Sequence, residues 1–126
     1  MKTKRKSRNT KIILFCDDPA GGAILSILND NLSKKYITIP FFIGPSERYL
    51  DKKKYKNNYL SKNLKKKDFE RKIINTKPDL IITASGIYNN SEHNTRIVAK
   101  KNNILCISIL DYWSEYAARF KRIINK

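Results

Sequence analysis

The sequence predicts an α/β domain of Rossmann-like type: a parallel sheet of four or five strands with helices on both faces. Two observations carry this. Four short apolar runs rich in β-branched residues recur along the chain, at Lys11–Cys16, Tyr36–Ile43, Asp79–Ala84 and Ile104–Leu110. Between them the apolar period changes to three and four, the mark of helices lying on a sheet. Strands alternating with helices imply parallel strands joined by right-handed crossovers.

A chain of 126 residues fits one domain with a real core. Residues 1–10 form a basic arm, expected to be disordered because they hold five basic side chains and no apolar residue after Met1. The domain proper is expected over residues 11–126. Its first run, Lys11-Ile-Ile-Leu-Phe-Cys16, is uninterrupted, which suits a strand covered on both faces. The turn Asp17-Asp-Pro-Ala-Gly-Gly22 follows, with proline placed to start a helix. From there Ala23, Ile24, Ile27, Leu28 and Leu32 give the expected helical stripe. Pro40 demotes the second strand to an edge or a bend, since proline cannot donate to a ladder. Residues 44–67 read as helix plus loop. Asp68 is placed to cap a helix through Ile74 that Lys77-Pro78 stops, and Ser91 to cap another running to Lys101. Glu92 stands four residues before Arg96, the favourable order for a pair on a helix surface.

Composition bounds the partners. The net charge of +16 would attract polyanions, but it comes from 20 lysines and only 7 arginines. Lysine, asparagine and isoleucine, all with AT-rich codons, fill 51 of the 126 positions. Base composition therefore explains the charge without selection for nucleic acid, and arginine, the better phosphate and guanine reader, is the minority cation. Cys16 and Cys106 sit apart in apolar runs and read as buried thiols of a reducing compartment. With no run long enough to cross a membrane, a cytoplasmic protein is expected, peripheral at the inner membrane face if Lys52–Lys67 meets anionic lipid.

In parallel sheets ligands collect at the carboxyl ends of the strands. This places Asp17–Gly22, Gly44–Glu47, Ser85–Asn90 and Asp111–Tyr116 on one rim. Candidate substrate-binding residues there are Asp18, Gly21 and Gly22 after the first strand, and Ser85 and Gly86 after the third. Asp111, Trp113 and Arg119 follow the fourth. The glycines permit close backbone approach, and an aromatic ring beside carboxylates and an arginine suits a sugar or nucleotide. The Asp17-Asp18 pair is not a receiver-domain magnesium site, because the third strand ends in Thr83-Ala84-Ser85 with no phosphoacceptor aspartate. His93, the single histidine, leaves no multi-histidine metal site; it is expected to face solvent, with a base at the rim as the rival reading. No metal and no cofactor is expected, and no residue is assigned to catalysis.

Two stretches resemble a known family. Lys77-Pro-Asp-Leu-Ile-Ile-Thr-Ala-Ser-Gly86, a helix, and then Asn103 to Trp113 resemble the second half of the N-terminal domain of GT-B glycosyltransferases and UDP-N-acetylglucosamine 2-epimerase-like proteins. Asp18-Pro-Ala-Gly-Gly22 and Leu110-Asp-Tyr-Trp-Ser-Glu-Tyr-Ala-Ala-Arg-Phe120 resemble motifs of bacterial surface-polysaccharide biosynthesis proteins. The resemblance spans Lys11 to about Phe120, except residues 44–67, and Asn102-Asn103 stands where the family has glycine. It implies the acceptor-side half of a glycosyltransferase-like protein, inactive without a second domain or subunit, whose acceptor is a sugar, lipid-linked or free. The alternatives are a nucleic-acid-binding module or a small nucleotide-binding regulator.

Overall fold

The computed structural model describes residues 9–55, 66–86 and 90–110. Strand β1 (Lys11–Cys16) leads to helix α1 (Pro19–Leu32) and strand β2 (Ile37–Phe42). A 3-10 turn (Gly44–Tyr49), a single helical turn α2 (Lys52–Tyr55) and helix α3 (Lys66–Asn75) follow. Strand β3 (Leu80–Thr83), helix α4 (Ser91–Lys101) and strand β4 (Leu105–Ser108) complete the described chain. The four strands form one parallel sheet in the order β2-β1-β3-β4, a Rossmann-like α/β arrangement.

Strand β1 lies between two neighbours, and its uninterrupted apolar run is what two covered faces require. Ile12, Leu14 and Cys16 pack with Leu25 of α1 on one face, and Ile13 and Phe15 pack with Ile73 of α3 and Val98 and Ala99 of α4 on the other. Phe15 meets Phe69 edge to face, with centroids 5.6 Å apart. Strand β2 takes the edge that Pro40 predicts. The N–H groups of Ile37 and Ile43 donate to Thr10 and Cys16, so alternate residues turn toward β1 and Pro40 falls on the open side, where no donor is needed.

The helical stripe of α1 is rotated from the one its sequence suggests. Gly21, Gly22, Leu25 and Asn29 are the buried residues, whereas Ile24 and Ile27 are 39% and 65% exposed. The glycines decide this. With no side chain, Gly21 lets the helix settle onto the end of β3, and Gly21, Leu25, Leu28 and Leu32 then turn inward. Residues 44–55 hold the 3-10 turn and α2, and 56–65 lie outside the described residues, so the reading of helix plus loop is tested only in part. Helix α3 is described from Lys66, so Asp68 lies inside the helix rather than at its cap and faces Arg71 across 3.8 Å.

Helix α4 ends in the left-handed conformation at Asn103, whose φ is 56°. Ile104 N–H donates to Ala99 O at 2.8 Å and Asn103 N–H to Lys100 O at 3.3 Å, a glycine-type helix stop made with asparagine. At the β4 edge of the described sheet, Leu105 and Ile107 are 66% and 48% exposed on the face that α1 covers at β1. None of the described helices is long and apolar enough to cross a membrane.

Candidate functional site

The crossovers from β1 to β2 and from β3 to β4 run in opposite directions, so the chain diverges between β1 and β3. At such a switch point the loops leaving the carboxyl ends of the two strands open a crevice. Asp17 and Asp18 leave β1 there, and Ser85 and Gly86 leave β3.

Asp18 is the N-cap of α1. Its Oδ2 accepts the N–H of Ala20 at 3.0 Å and of Gly21 at 3.4 Å, and its carbonyl accepts the N–H of Gly22 at 2.8 Å. Pro19 brings no N–H at all. The positive end of the helix is thus closed by the chain's own carboxylate. The two glycines are equally committed to the protein interior. A Cβ on Gly21 would stand 2.4 Å from that of Ala84, and one on Gly22 would stand 2.9 Å from Ser46 Cβ and from the Tyr49 ring. The space their missing side chains leave is filled by β3 and by the 3-10 turn, which is why this turn needs glycine.

Asp17 and Glu92 lie beneath that cap. Asp17 N–H donates to Glu92 Oε2 at 3.1 Å, Gly86 N–H donates to Glu92 Oε1, and the Ser91 hydroxyl donates to Asp17 Oδ2. One buried carboxyl therefore ties the loop after β1 to the loop after β3. Burial, and next the charge of Asp17, push the Glu92 carboxyl up to about 7, against the pull of its two N–H donors and of Arg96. Ser46 closes the third side. Its N–H donates to Asp17 O at 3.1 Å, and its hydroxyl lies 2.8 Å from Cys16 O and 2.7 Å from Ile43 O. Burial drives the Cys16 thiol up, leaving it an unreactive core group.

Ser85 is buried, and its hydroxyl donates to Ile109 O at 3.0 Å, joining the ends of β3 and β4. Gly86 is half-buried at the lip. A Cβ there would stand 3.1 Å from Glu92 Oε1, 3.2 Å from Asp18 Cβ and 3.6 Å from Asp17 Oδ1. Asp18, Gly21, Gly22, Ser85 and Gly86 are thus brought together; Asp111, Trp113 and Arg119 lie outside the described residues.

Three expectations on α4 are corrected. Ser91 is the first helical residue, and its hydroxyl reaches Asp17. Glu92 faces the sheet and is 1% exposed, because the two backbone N–H groups it serves lie on loops behind the helix. His93 is buried rather than solvent-facing. Its Nδ1 lies 2.7 Å from Arg96 Nη2, and since guanidinium only donates, Nδ1 is the acceptor in this contact. Arg96 also donates to Ala84 O at 3.2 Å. Sequence reasoning missed Ser46 and the inward role of Glu92. The available signal was a small hydroxyl residue four positions past a strand end, and a carboxylate at the second residue of a helix that opens on the rim.

Among the described residues no cluster of three or more histidine, cysteine, aspartate or glutamate side chains is arranged to hold a metal ion. A cavity of about 500 Å³ lined by Thr10, Ile12, Leu32, Tyr36, Leu80 and Ile82 opens at the amino ends of the strands, away from this rim. Comparison with family models and with curated protein sequences finds no match to this chain.

Proposed function

We propose that this chain is the acceptor-side half of a GT-B glycosyltransferase-like protein of bacterial surface-polysaccharide assembly, and that its rim between β1 and β3 holds an uncharged, hydroxyl-rich sugar acceptor. One observation carries the choice of ligand: the N-terminus of α1 is capped by Asp18, and the first-turn N–H groups that would cradle a phosphate are spent. What the loop after β1 offers instead is hydrogen-bond acceptors, the Asp18 carboxylate foremost, beside the half-buried Gly86. Such a surface suits hydroxyl donors and repels phosphate. A nucleotide-binding regulator built on the Gly21-Gly22 turn fits this poorly.

In the resemblance, Asp111, Trp113 and Arg119 supply the third contributing segment. The donor sugar nucleotide belongs to a second domain or subunit, since transfer requires both reactants to be held in line. A lipid-linked acceptor would be met with help from Lys52–Lys67, of which Lys53, Lys54 and Lys67 are exposed.

Calorimetry with neutral oligosaccharides and with nucleoside diphosphate sugars tests the reading. Saccharide binding that weakens in Asp18→Asn is expected, because asparagine keeps the helix cap while removing the charge. Tighter binding of the nucleoside diphosphate sugar, insensitive to Asp18→Asn, would overturn it.

A further inference from the structure

We propose that this chain pairs with a second copy of itself through the α1 face of its sheet, the α1 of each copy lying on the β4 of the other. The pairing uses the outer side of α1 and the bare side of β4 rather than the rim, so it stands or falls separately from the proposed function.

The shape follows from the sequence of α1. Leu25 packs inward with Ile12, Leu14 and Cys16 of β1. At about 100° per residue, Ile27, two positions on, points away from the sheet, and it is exposed. Gly22 faces Ser46 and Tyr49, on the β2 side. Ile24, again two positions on, therefore lies on the opposite flank, toward β3 and β4, and is exposed as well. Ala20 and Asn31, both exposed, extend this flank at spacings of four, three and four residues, the seam along which one helix packs against another. Beside that flank no described element covers the sheet. Strand β4 lies two strand spacings from β1, about 10 Å, which matches the separation of two packed helices. Its Leu105 and Ile107 stand in register with Leu80 and Ile82, on the α1 side, and stay exposed. The cavity lined by Leu32, Leu80 and Ile82 continues this hollow at the amino ends of the strands. The face thus carries a helical ridge next to a hollow one helix wide. A two-fold axis running along α1 seats each ridge in the hollow of the other copy: Ile24 meets its own counterpart, and Ile27 meets Leu105 and Ile107. A contact of this kind closes on itself.

Charge selects the occupant. Lysine and arginine make up 27 of the 126 residues, yet none stands among the 22 from Ile12 to Ser33 and none from Leu105 to Leu110. The helices on the other side of the sheet show the pattern usual for this chain, with Lys67 and Arg71 exposed on α3 and Lys100 and Lys101 on α4. AT-rich codons supply lysine as readily as isoleucine. Base composition therefore does not account for exposed isoleucines on α1 with no lysine among them. Two chains of net charge +16 repel each other, and the α1 face is the side on which that repulsion is weakest. An acidic partner would be drawn instead to the lysine-rich helices.

Sedimentation equilibrium of the intact chain, from about 1 μM to about 1 mM and at low and high salt, tests the pairing. A monomer–dimer equilibrium that tightens with salt is expected, because salt screens the like net charges and leaves the apolar contact in place. Ile27→Lys and Leu105→Lys, each at an exposed position, should raise Kd about a hundredfold or more, since a two-fold contact meets every substitution twice. Ile97→Lys, at an exposed isoleucine of α4, should leave Kd unchanged. In the unmodified chain, the amide shifts that change on dilution should cluster on α1 and β4, which decides the matter even if a variant does not fold. A monomer throughout that range overturns the proposal, and is the result to be seen if residues 111–126 or another protein cover this face. A dimer that survives both Ile27→Lys and Leu105→Lys, or dilution shifts confined to α3 and α4, overturns it too.

Discussion

The two rim loops carry glycine turns that look alike on paper and behave differently in the molecule. After β1, Gly21 and Gly22 face inward, against Ala84 and against Ser46 and Tyr49. After β3, Gly86 sits at the lip, half-buried, over two carboxyl groups. The first pair pack against small side chains and a tyrosine ring, and the last against acidic side chains of the proposed rim. A glycine after a strand therefore says only that something comes close; whether that is the protein or a ligand depends on what the neighbouring helix brings. Here α1 brings its own cap, while α4 brings Glu92.

The largest expected effect sharpens this contrast from the acidic side. The folded pKa of Glu92 lies near 7, above the ordinary 4.5. The folded state therefore keeps a proton that the unfolded chain has released, and stability falls as pH rises from about 4.5 through 7. A shift of that size corresponds to about 3 kcal/mol, at roughly 1.4 kcal/mol per pH unit. Denaturant unfolding as a function of pH should show the decline, and Glu92→Gln should flatten it.

On the packing side, Gly21→Ala should cost about 1–3 kcal/mol, because α1 must lift from β3 to admit a methyl group. Ala84→Gly in the same chain should restore part of the loss. An equal cost from Gly86→Ala, unrelieved by Ala84→Gly, would dissolve the distinction between the loops. Ser91→Ala should cost about 1–2 kcal/mol by leaving the buried Asp17 carboxylate without one donor, as thermal denaturation would register. The control is Arg71→Ala, which removes an exposed pair with Asp68 and should change stability by less than about 0.5 kcal/mol.

Much of the fold was legible because it depends on local chemistry. The run Ile12 to Cys16 reads as a doubly covered strand because every residue in it is apolar, and Pro40 reads as an edge because it lacks a donor. Asn103 shows why a missing glycine did not mislead: asparagine tolerates the left-handed backbone that the stop of α4 requires. The stripe of α1 was misread because periodicity alone favours the bulkiest apolar residues, and Ile24 and Ile27 are bulkier than the glycines that actually set the contact. Glu92 was misread for a related reason. The rule for charges four residues apart sees one helix surface, whereas the groups that claim Glu92 are backbone N–H donors from loops 75 and 6 residues away in sequence. His93 is the converse case, a polar side chain drawn inward by a contact with Arg96.

The account turns on the loop after β1, where the first N–H groups of α1 are taken by Asp18 and acceptors are left for hydroxyl groups. Mapping amide shift changes on the assigned protein, with a neutral oligosaccharide in one titration and inorganic pyrophosphate in the other, tests this most directly. The account predicts that the saccharide perturbs Asp18 and Gly86 while pyrophosphate leaves Ala20, Gly21 and Gly22 unmoved. Saturable shifts of those three amides with pyrophosphate, and none at Asp18 or Gly86 with saccharide, would contradict it.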